Sequence, residues 1–223
     1  MRNEPDPDYE WGRLPAAYLR FPVFPRAVPG ERWWNRMGIF NKMNRSKRSV
    51  CLDAKEGRGP EVLAGLVAAS DVVLNNYSPR GTRSMGIDRD GARRGNADAI
   101  TVCLSGYGAT GPFSSFLSYG PVLQAHAGFD EATGYDASGP VRIGLAFPDA
   151  IGGLHGTFAT LQALWERALT GGPVHVDVSQ FESMLSIAGE MLLVTSATGR
   201  PPERHGNRAA GLAPQGVYPC RGE

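Results

Sequence analysis

The sequence predicts an α/β protein with a Rossmann-like, mostly parallel sheet flanked by helices. Two observations carry this expectation. From Ser49 onward, short runs rich in β-branched and apolar residues (SVCLD, DVVLNNY, AITVCLS, VRIGLAF, PVHVDVS) alternate with longer stretches whose apolar residues recur at helical spacing. Gly and Pro punctuate the junctions, as in YSPRG, GYGATGP and LTGGPV. The chain of 223 residues, 42% hydrophobic and 20% charged, has the composition of an ordinary globular protein and is long enough to bury a core.

Residues Met1 to Asn44 are rich in Pro, Arg and Trp and follow neither a period of two nor one of 3.6, which predicts an irregular N-terminal segment. Residues 45–200 are expected to form the α/β domain, and 201–223 a loop-rich C-terminal segment that breaks off as an incomplete chain would. Within the domain, a strand is predicted at Ser49–Asp53. A helix follows in EVLAGLVAAS, with Val62, Leu63, Leu66 and Val67 on one face. Next come a strand at Asp71–Tyr77, a helical stretch near Gly81–Arg94, and a strand in AITVCLSGYG that ends in the loop GYGATGPF. PVLQAHAGF reads as a helix and VRIGLAF as a strand. A helix from about Ala150 to Leu169, stopped by Gly171 and Gly172, is followed by a strand in PVHVDVS and a helix over Gln180–Ala197. Ile151, Leu154, Phe158, Leu161 and Leu164 form a stripe expected to anchor the long helix on the sheet.

Composition excludes several functions. A net charge of +1, with only NRSKRS and GARRG locally basic, lacks the cationic face of a nucleic-acid binder. Cys51, Cys103 and Cys220 are odd in number and far apart, so neither a disulfide framework nor a thiolate metal site is expected. His155, His175 and His205 have no metal-ligand spacing, and His126 is expected to be buried and hydrogen-bonded. No apolar run reaches the ~18 residues of a membrane span, and the N-terminus lacks the apolar core of a signal peptide. A cytoplasmic protein is expected, with no nucleic-acid or membrane partner.

The acid at the seam of LAFPDAIGG is the candidate for chemistry. Asp149 follows Pro148 just before the long helix, where a carboxylate caps exposed N–H groups. The same place puts it at the positive end of a helix and at the C-terminal edge of a strand, where open α/β sheets bind ligands. There it is expected to stay ionised, as a carboxylate nucleophile must. Gly152, Gly153 and Gly156 strip side chains from the first turns, which implies close backbone packing or a bulky ligand.

NRSKRSVCLDAKEGRG, DVVLNNYSPRGTRSMGI, CLSGYGATGPF, PVRIGLAFPDAIGG and GGPVHVDVSQFESML follow one another in an order and spacing that resembles the family III CoA-transferases, the CaiB/BaiF family, from about Asn44 to Glu223. The resemblance implies CoA transfer between an acyl-CoA and a small carboxylic acid, with coenzyme A as the carrier and no metal. Asp149 is then the nucleophile that passes through aspartyl anhydride and aspartyl-CoA intermediates. Tyr119 falls where transferases of the family carry a tyrosine near the acyl group and the racemase branch a histidine, while Gly120 replaces a usually acidic residue. Leu52, Lys55, Asn76 and Tyr77 fall on CoA-contacting positions. A family arginine falls on Ser84, with Arg83 beside it. Relatives begin with an additional βαβ segment, continue into a small domain and form interlaced dimers, so the resemblance implies a homodimer or a partner of a fuller family member. Two alternatives stay open: an acyl-CoA racemase or isomerase, and a truncated inactive paralogue acting as a structural partner.

Overall fold

The computed structural model describes residues 36–222 except 136, 137, 145 and 210, together with all side chains in that range except that of Ile39. Most of the predicted irregular N-terminal segment lies outside the described residues. The chain divides into two compact units, Met1–Asp53 and Ala54–Glu223.

In the first unit, Gly38–Met43 forms a short helix, α1, and the chain then runs without regular structure. The predicted strand at Ser49–Asp53 does not form. Its residues have no ladder partner among the described residues, and Val50 is 60% exposed. β-Propensity alone does not hold a strand that has nothing to pair with or pack on.

The second unit contains, in order, α2 (Gly59–Ala68), β1 (Val72–Asn75), α3 (Pro79–Ser84), α4 (Arg89–Gly95), β2 (Ile100–Ser105), α5 (Gly120–His126) and α6 (Phe129–Ala132). These are followed by α7 (Phe147–Thr170), β3 (His175–Ser179), α8 (Gln180–Ile187) and α9 (Gly189–Thr198). The three strands are parallel in the order β1-β2-β3, with Asn75 opposite Cys103 and Cys103 opposite Asp177. The helical stretch predicted near Gly81–Arg94 is two helices because two caps compete for it. The Ser78 hydroxyl accepts from the N–H of Gly81 at the start of α3, and the Asp88 carboxylate accepts from that of Gly91 at the start of α4. Likewise Gln180–Ala197 breaks at Ala188 into α8 and α9.

Of the predicted strand VRIGLAF, Leu145 lies outside the described residues, and residues 141–144 carry no strand. Its Val141 N–H donates to the Thr133 carbonyl, a loop contact rather than a ladder bond, and α7 already starts at Phe147 with Pro148 in its first turn.

Side chains alternate along a strand, so the register sorts the sheet into two unlike faces. Ile100, Val102 and Leu104 form a core with Ala163 of α7, joined by Val72, Val176, Val178 and Leu164. On the other face the paired positions are Val73 and the polar Asn75, Thr101, Cys103, Ser105, His175, Asp177 and Ser179. Five of these polar positions, Asn75, Thr101, Cys103, Ser105 and Ser179, are nevertheless buried. A second core of Val67, Ile87, Ala92 and Ala99 packs with Val73 and Leu63 and holds α2 and α4. Val62 and Leu66, predicted to share that α2 face, remain 42% and 43% exposed.

The stripe predicted to anchor α7 is also corrected. Leu154, Phe158 and Leu161 are 67%, 71% and 61% exposed, while Gly152, Gly156 and Ala163 are buried. The helix lies too close to the sheet for bulky residues: a Cβ on Gly156 would come within 2.4 Å of Leu104 Cδ2. Only Leu164, of the five, packs against the sheet core. Among the described residues, no helix is long and apolar enough to cross a membrane.

Candidate active site

α7 returns from the C-terminal edge of the sheet. Gly156 abuts Leu104 near the end of β2, and one turn earlier Gly152 abuts Gln180, which directly follows β3. The first turn, with Asp149, therefore projects to the edge where parallel α/β sheets hold ligands. Ala146 occupies the cap position, so Asp149 is the third helical residue and not the cap that the sequence suggested. Its carboxylate accepts no hydrogen bond from the described residues.

Opposite it lies the start of α5. A Cβ built on Gly120 would sit 3.2 Å from Asp149 Oδ2 and 3.3 Å from Oδ1, and 3.2 Å from the Ala146 methyl carbon. Tyr119, the next residue back, caps α5 through its backbone only and is 77% exposed. Thus Tyr119 and Asp149 are brought to one corner through Gly120. The residue Asp149 as a whole is exposed, yet partial burial pushes its carboxyl above the ordinary aspartate value. The helix terminus was expected to hold the acid down. With no N–H donating to the carboxylate, loss of water outweighs that field.

A cavity of about 150 Å³ opens on the polar face of the sheet, beyond the ends of β1 and β2. Asn75 braces three of its lining residues from behind: its side-chain oxygen accepts from the N–H of Tyr77 (3.2 Å) and the hydroxyl of Thr82 (3.1 Å), while its amide contacts Cys103 Sγ at 3.6 Å. Tyr77, Arg83, Arg89, Ser105, Asp88 and His175 all line the cavity. The Ser105 hydroxyl is buried without a partner. Burial pushes the Cys103 thiol up and the His175 imidazole down, the latter helped by Arg89 and Arg93 and opposed by Asp177. Thr101 Oγ1 and His175 Nδ1 are 2.7 Å apart.

Of the residues singled out in the sequence, Tyr77 and Arg83 thus share this cavity. Asn76 is exposed and does not line it, nor do Asp149 and Tyr119. Lys55 is exposed in the turn before α2, and Leu52 is half-buried in the first unit. Ser105, Asp88, Arg89 and His175 were missed. The signal for two of them was the period-two polar alternation in ITVCLS and HVDVS, which marks a polar sheet face once the strands are aligned.

The glycine-punctuated loop folds over the same edge. Asp177 accepts from the N–H of Ala109 at 2.8 Å, and Gly106 accepts from that of Phe181 at 2.9 Å. Tyr107 packs among Phe113, Phe116, Phe181 and His126, with its hydroxyl 3.0 Å from His126 Nδ1. His126 is hydrogen-bonded as expected but exposed rather than buried, because this partner lies in a surface loop. Among the described residues, no three His, Cys, Asp or Glu side chains gather as a metal site would require.

The sequence pattern of CoA-transferase family III matches residues 25–223. An acetyl-CoA:oxalate CoA-transferase of Acetobacter aceti is 32% identical over 180 residues, which cover 80% of this chain and 46% of that protein. A succinate–glutarate CoA-transferase of Agrobacterium fabrum is 29% identical over 198 residues, covering 89% and 49%. The crystal structure of a CaiB/BaiF family protein from Brucella suis superposes with a TM-score of 0.76 at 32% identity, covering 87% of this chain and 50% of that one. The chain spans about half the length of the relatives it matches.

Proposed function

This chain belongs to CoA-transferase family III, and from that premise we propose that it moves CoA from an acyl-CoA donor to a carboxylic acid acceptor with Asp149 as nucleophile. The observation that supports this reading is the corner itself: a carboxylate without hydrogen-bond donors, partly stripped of water, facing a residue that has no side chain. Desolvation destabilises the ionised acid, and covalent attack relieves it.

In the first step a carboxylate oxygen of Asp149 attacks the thioester carbonyl, the C–S bond breaks, and CoA leaves as a thiolate. The thiolate then attacks the aspartyl carbonyl of the anhydride, which releases the donor acid and leaves CoA on Asp149. The acceptor carboxylate attacks this aspartyl thioester, giving a second anhydride and free thiolate. Attack of that thiolate on the acceptor acyl carbon forms the product thioester and regenerates the aspartate. No net proton is consumed, since each step exchanges one anion for another.

The cavity at the ends of β1 and β2 is smaller than the 300 Å³ or more that encloses a whole ligand, so it takes one end of CoA. Arg83 and Arg89 suit a phosphate and Ser105 supplies a hydroxyl. Asn76 and Lys55 extend the contacts along the same edge, and the Tyr119 phenol lies beside the acyl group. The acids named for relatives, oxalate, succinate and glutarate, are the first acceptors to try.

A second copy, or a fuller member of the family, completes the enzyme in this reading. The exposed stripe of Leu154, Phe158, Leu161, Trp165 and Leu169 on α7 favours such an assembly. The decisive experiment incubates the chain, alone and with a full-length relative, with acetyl-CoA and succinyl-CoA, traps with hydroxylamine, and maps the modification by mass spectrometry. An adduct at Asp149 is expected. Its absence with every donor, in protein that binds CoA, rejects Asp149 as the nucleophile.

A further inference from the structure

A second cavity, about 450 Å³ in volume, shares no lining residue with the one at the sheet edge and does not include Asp149. It is built where the segment after α9 folds back on the loop after α6. The Gly206 N–H donates to the Gly134 carbonyl at 2.9 Å, and Gly206 has a positive φ of 58°. A Cβ there would fall 2.5 Å from a ring carbon of Tyr135, so only glycine lets the aromatic ring lie against this turn. The turn presents Arg204, His205, Asn207 and Arg208 to the cavity, with Tyr135 and Tyr218 as aromatic walls.

The hydrogen-bonding balance of these groups is unequal. Arg204 is anchored through Nη1 to the carbonyl and carboxylate of Glu131, yet its Nε–H is buried with no acceptor. Asn207 donates to the Tyr135 hydroxyl at 2.6 Å, which leaves the phenolic O–H available as a donor. The Arg208 guanidinium has no side-chain partner among the described residues. The Glu131 carboxylate nearby is engaged by Arg204, and the cavity lining itself holds no Asp or Glu. Cationic donors are therefore in surplus and no carboxylate of the lining meets them, as in a site whose anion arrives with the ligand. The volume is that of a small-molecule site, and two exposed phenol rings offer apolar faces beside the charges.

We infer that this cavity binds a small organic anion, held through a carboxylate or phosphate by Arg208, Arg204 and the Tyr135 hydroxyl, at a site separate from the CoA cavity and the Asp149 corner. The inference does not depend on the catalytic reading, so either can fail without the other.

Isothermal titration of the full chain with benzoate, succinate and adenosine 3′,5′-bisphosphate tests it, with Arg208→Ala and Tyr135→Phe as site variants and Arg83→Ala as the control for the other cavity. Saturable binding of at least one probe is expected, weakened about 10-fold or more by Arg208→Ala and several-fold by Tyr135→Phe; benzoate and succinate binding is unchanged by Arg83→Ala, and the bisphosphate is titrated in the Arg83→Ala background so that only this cavity is read. Binding of the acids alone identifies a carboxylate ligand, and binding of the bisphosphate alone a phosphate ligand. Absence of binding by all three probes overturns the proposal. So does binding that Arg208→Ala leaves intact, or binding of benzoate or succinate that Arg83→Ala abolishes. Arg208 is exposed, and unchanged circular dichroism of its variant verifies that the fold is intact.

Discussion

Gly120 faces the carboxylate of Asp149 so closely that a single added carbon would lie 3.2 Å from one oxygen and 3.3 Å from the other. The backbone at Gly120 does not have a positive φ, so alanine fits its conformation and removes unfolded-state entropy. Crowding then acts on the carboxylate and on the Ala146 methyl, which the added carbon would approach to 3.2 Å. Gly120→Ala is expected to change the melting temperature little, the entropic gain being offset by the crowded Ala146 methyl, while slowing acyl transfer to Asp149 about 10-fold or more, since small misplacements of a reacting group are costly. Single-turnover trapping of the adduct checks this, and an unchanged rate would mean that the open space above Asp149 has no part in the reaction.

The pH dependence of stability follows from the same carboxyl. Its folded pKa is raised above the ordinary 3.8 by burial, so between these values the folded chain binds more protons than the unfolded one. Stability due to Asp149 is therefore highest in acid, falls as pH rises through that window, and stays lower above it. Asp149→Asn carries no such charge. The variant should be more stable than the parent at neutral pH, by about 0.5 kcal/mol or less because the residue is exposed, with the difference vanishing toward acid. Urea titrations across the range provide the measurement, and a less stable Asn variant at neutral pH contradicts the assigned burial. The same variant should form no acyl adduct.

Two glycines of α7 separate packing from propensity. A Cβ on Gly156 meets Leu104 Cδ2 at 2.4 Å, whereas one on Gly153 meets nothing within 4 Å. Both substitutions gain the same helix propensity, up to ~1 kcal/mol. Gly153→Ala should therefore stabilise the fold, and Gly156→Ala should destabilise it by about 1–3 kcal/mol as the helix is forced off the sheet. Thermal melts of opposite sign are the expected result. Equal shifts would show that α7 does not rest on Leu104.

These two glycines also show what could be read from the chain. Alternating strand and helix patterns made the parallel α/β layout legible, because β1, β2 and β3 each pair with a neighbour that supports their periodicity. SVCLD and the described residues of VRIGLAF have the same texture but no strand partner among the described residues, and pairing is a long-range fact that a local run does not contain. The stripe on α7 misled for a related reason. Apolar spacing identifies a face, whereas close approach to the sheet selected the small residues Gly152, Gly156 and Ala163 on another. Asp149 and Gly120 stood out in the sequence, but their mutual contact joins two helices 29 positions apart and needed the fold.

Ser105 carries the last prediction. Its hydroxyl is buried at the end of β2, lines the cavity with Tyr77 and Arg83, and has no partner. Burying a hydroxyl without a hydrogen bond costs about 1–3 kcal/mol on the scale of protein mutations, so Ser105→Ala should leave the ligand-free chain as stable or up to about 1 kcal/mol more stable. If CoA supplies the missing partner, the same change removes a bond made only in the complex and weakens CoA binding roughly 5- to 10-fold. Opposite effects on melting temperature and on CoA affinity are the signature of a group held ready for a ligand. A variant that loses stability while binding CoA as tightly as the parent would make Ser105 a structural residue and move the CoA contact elsewhere along the edge.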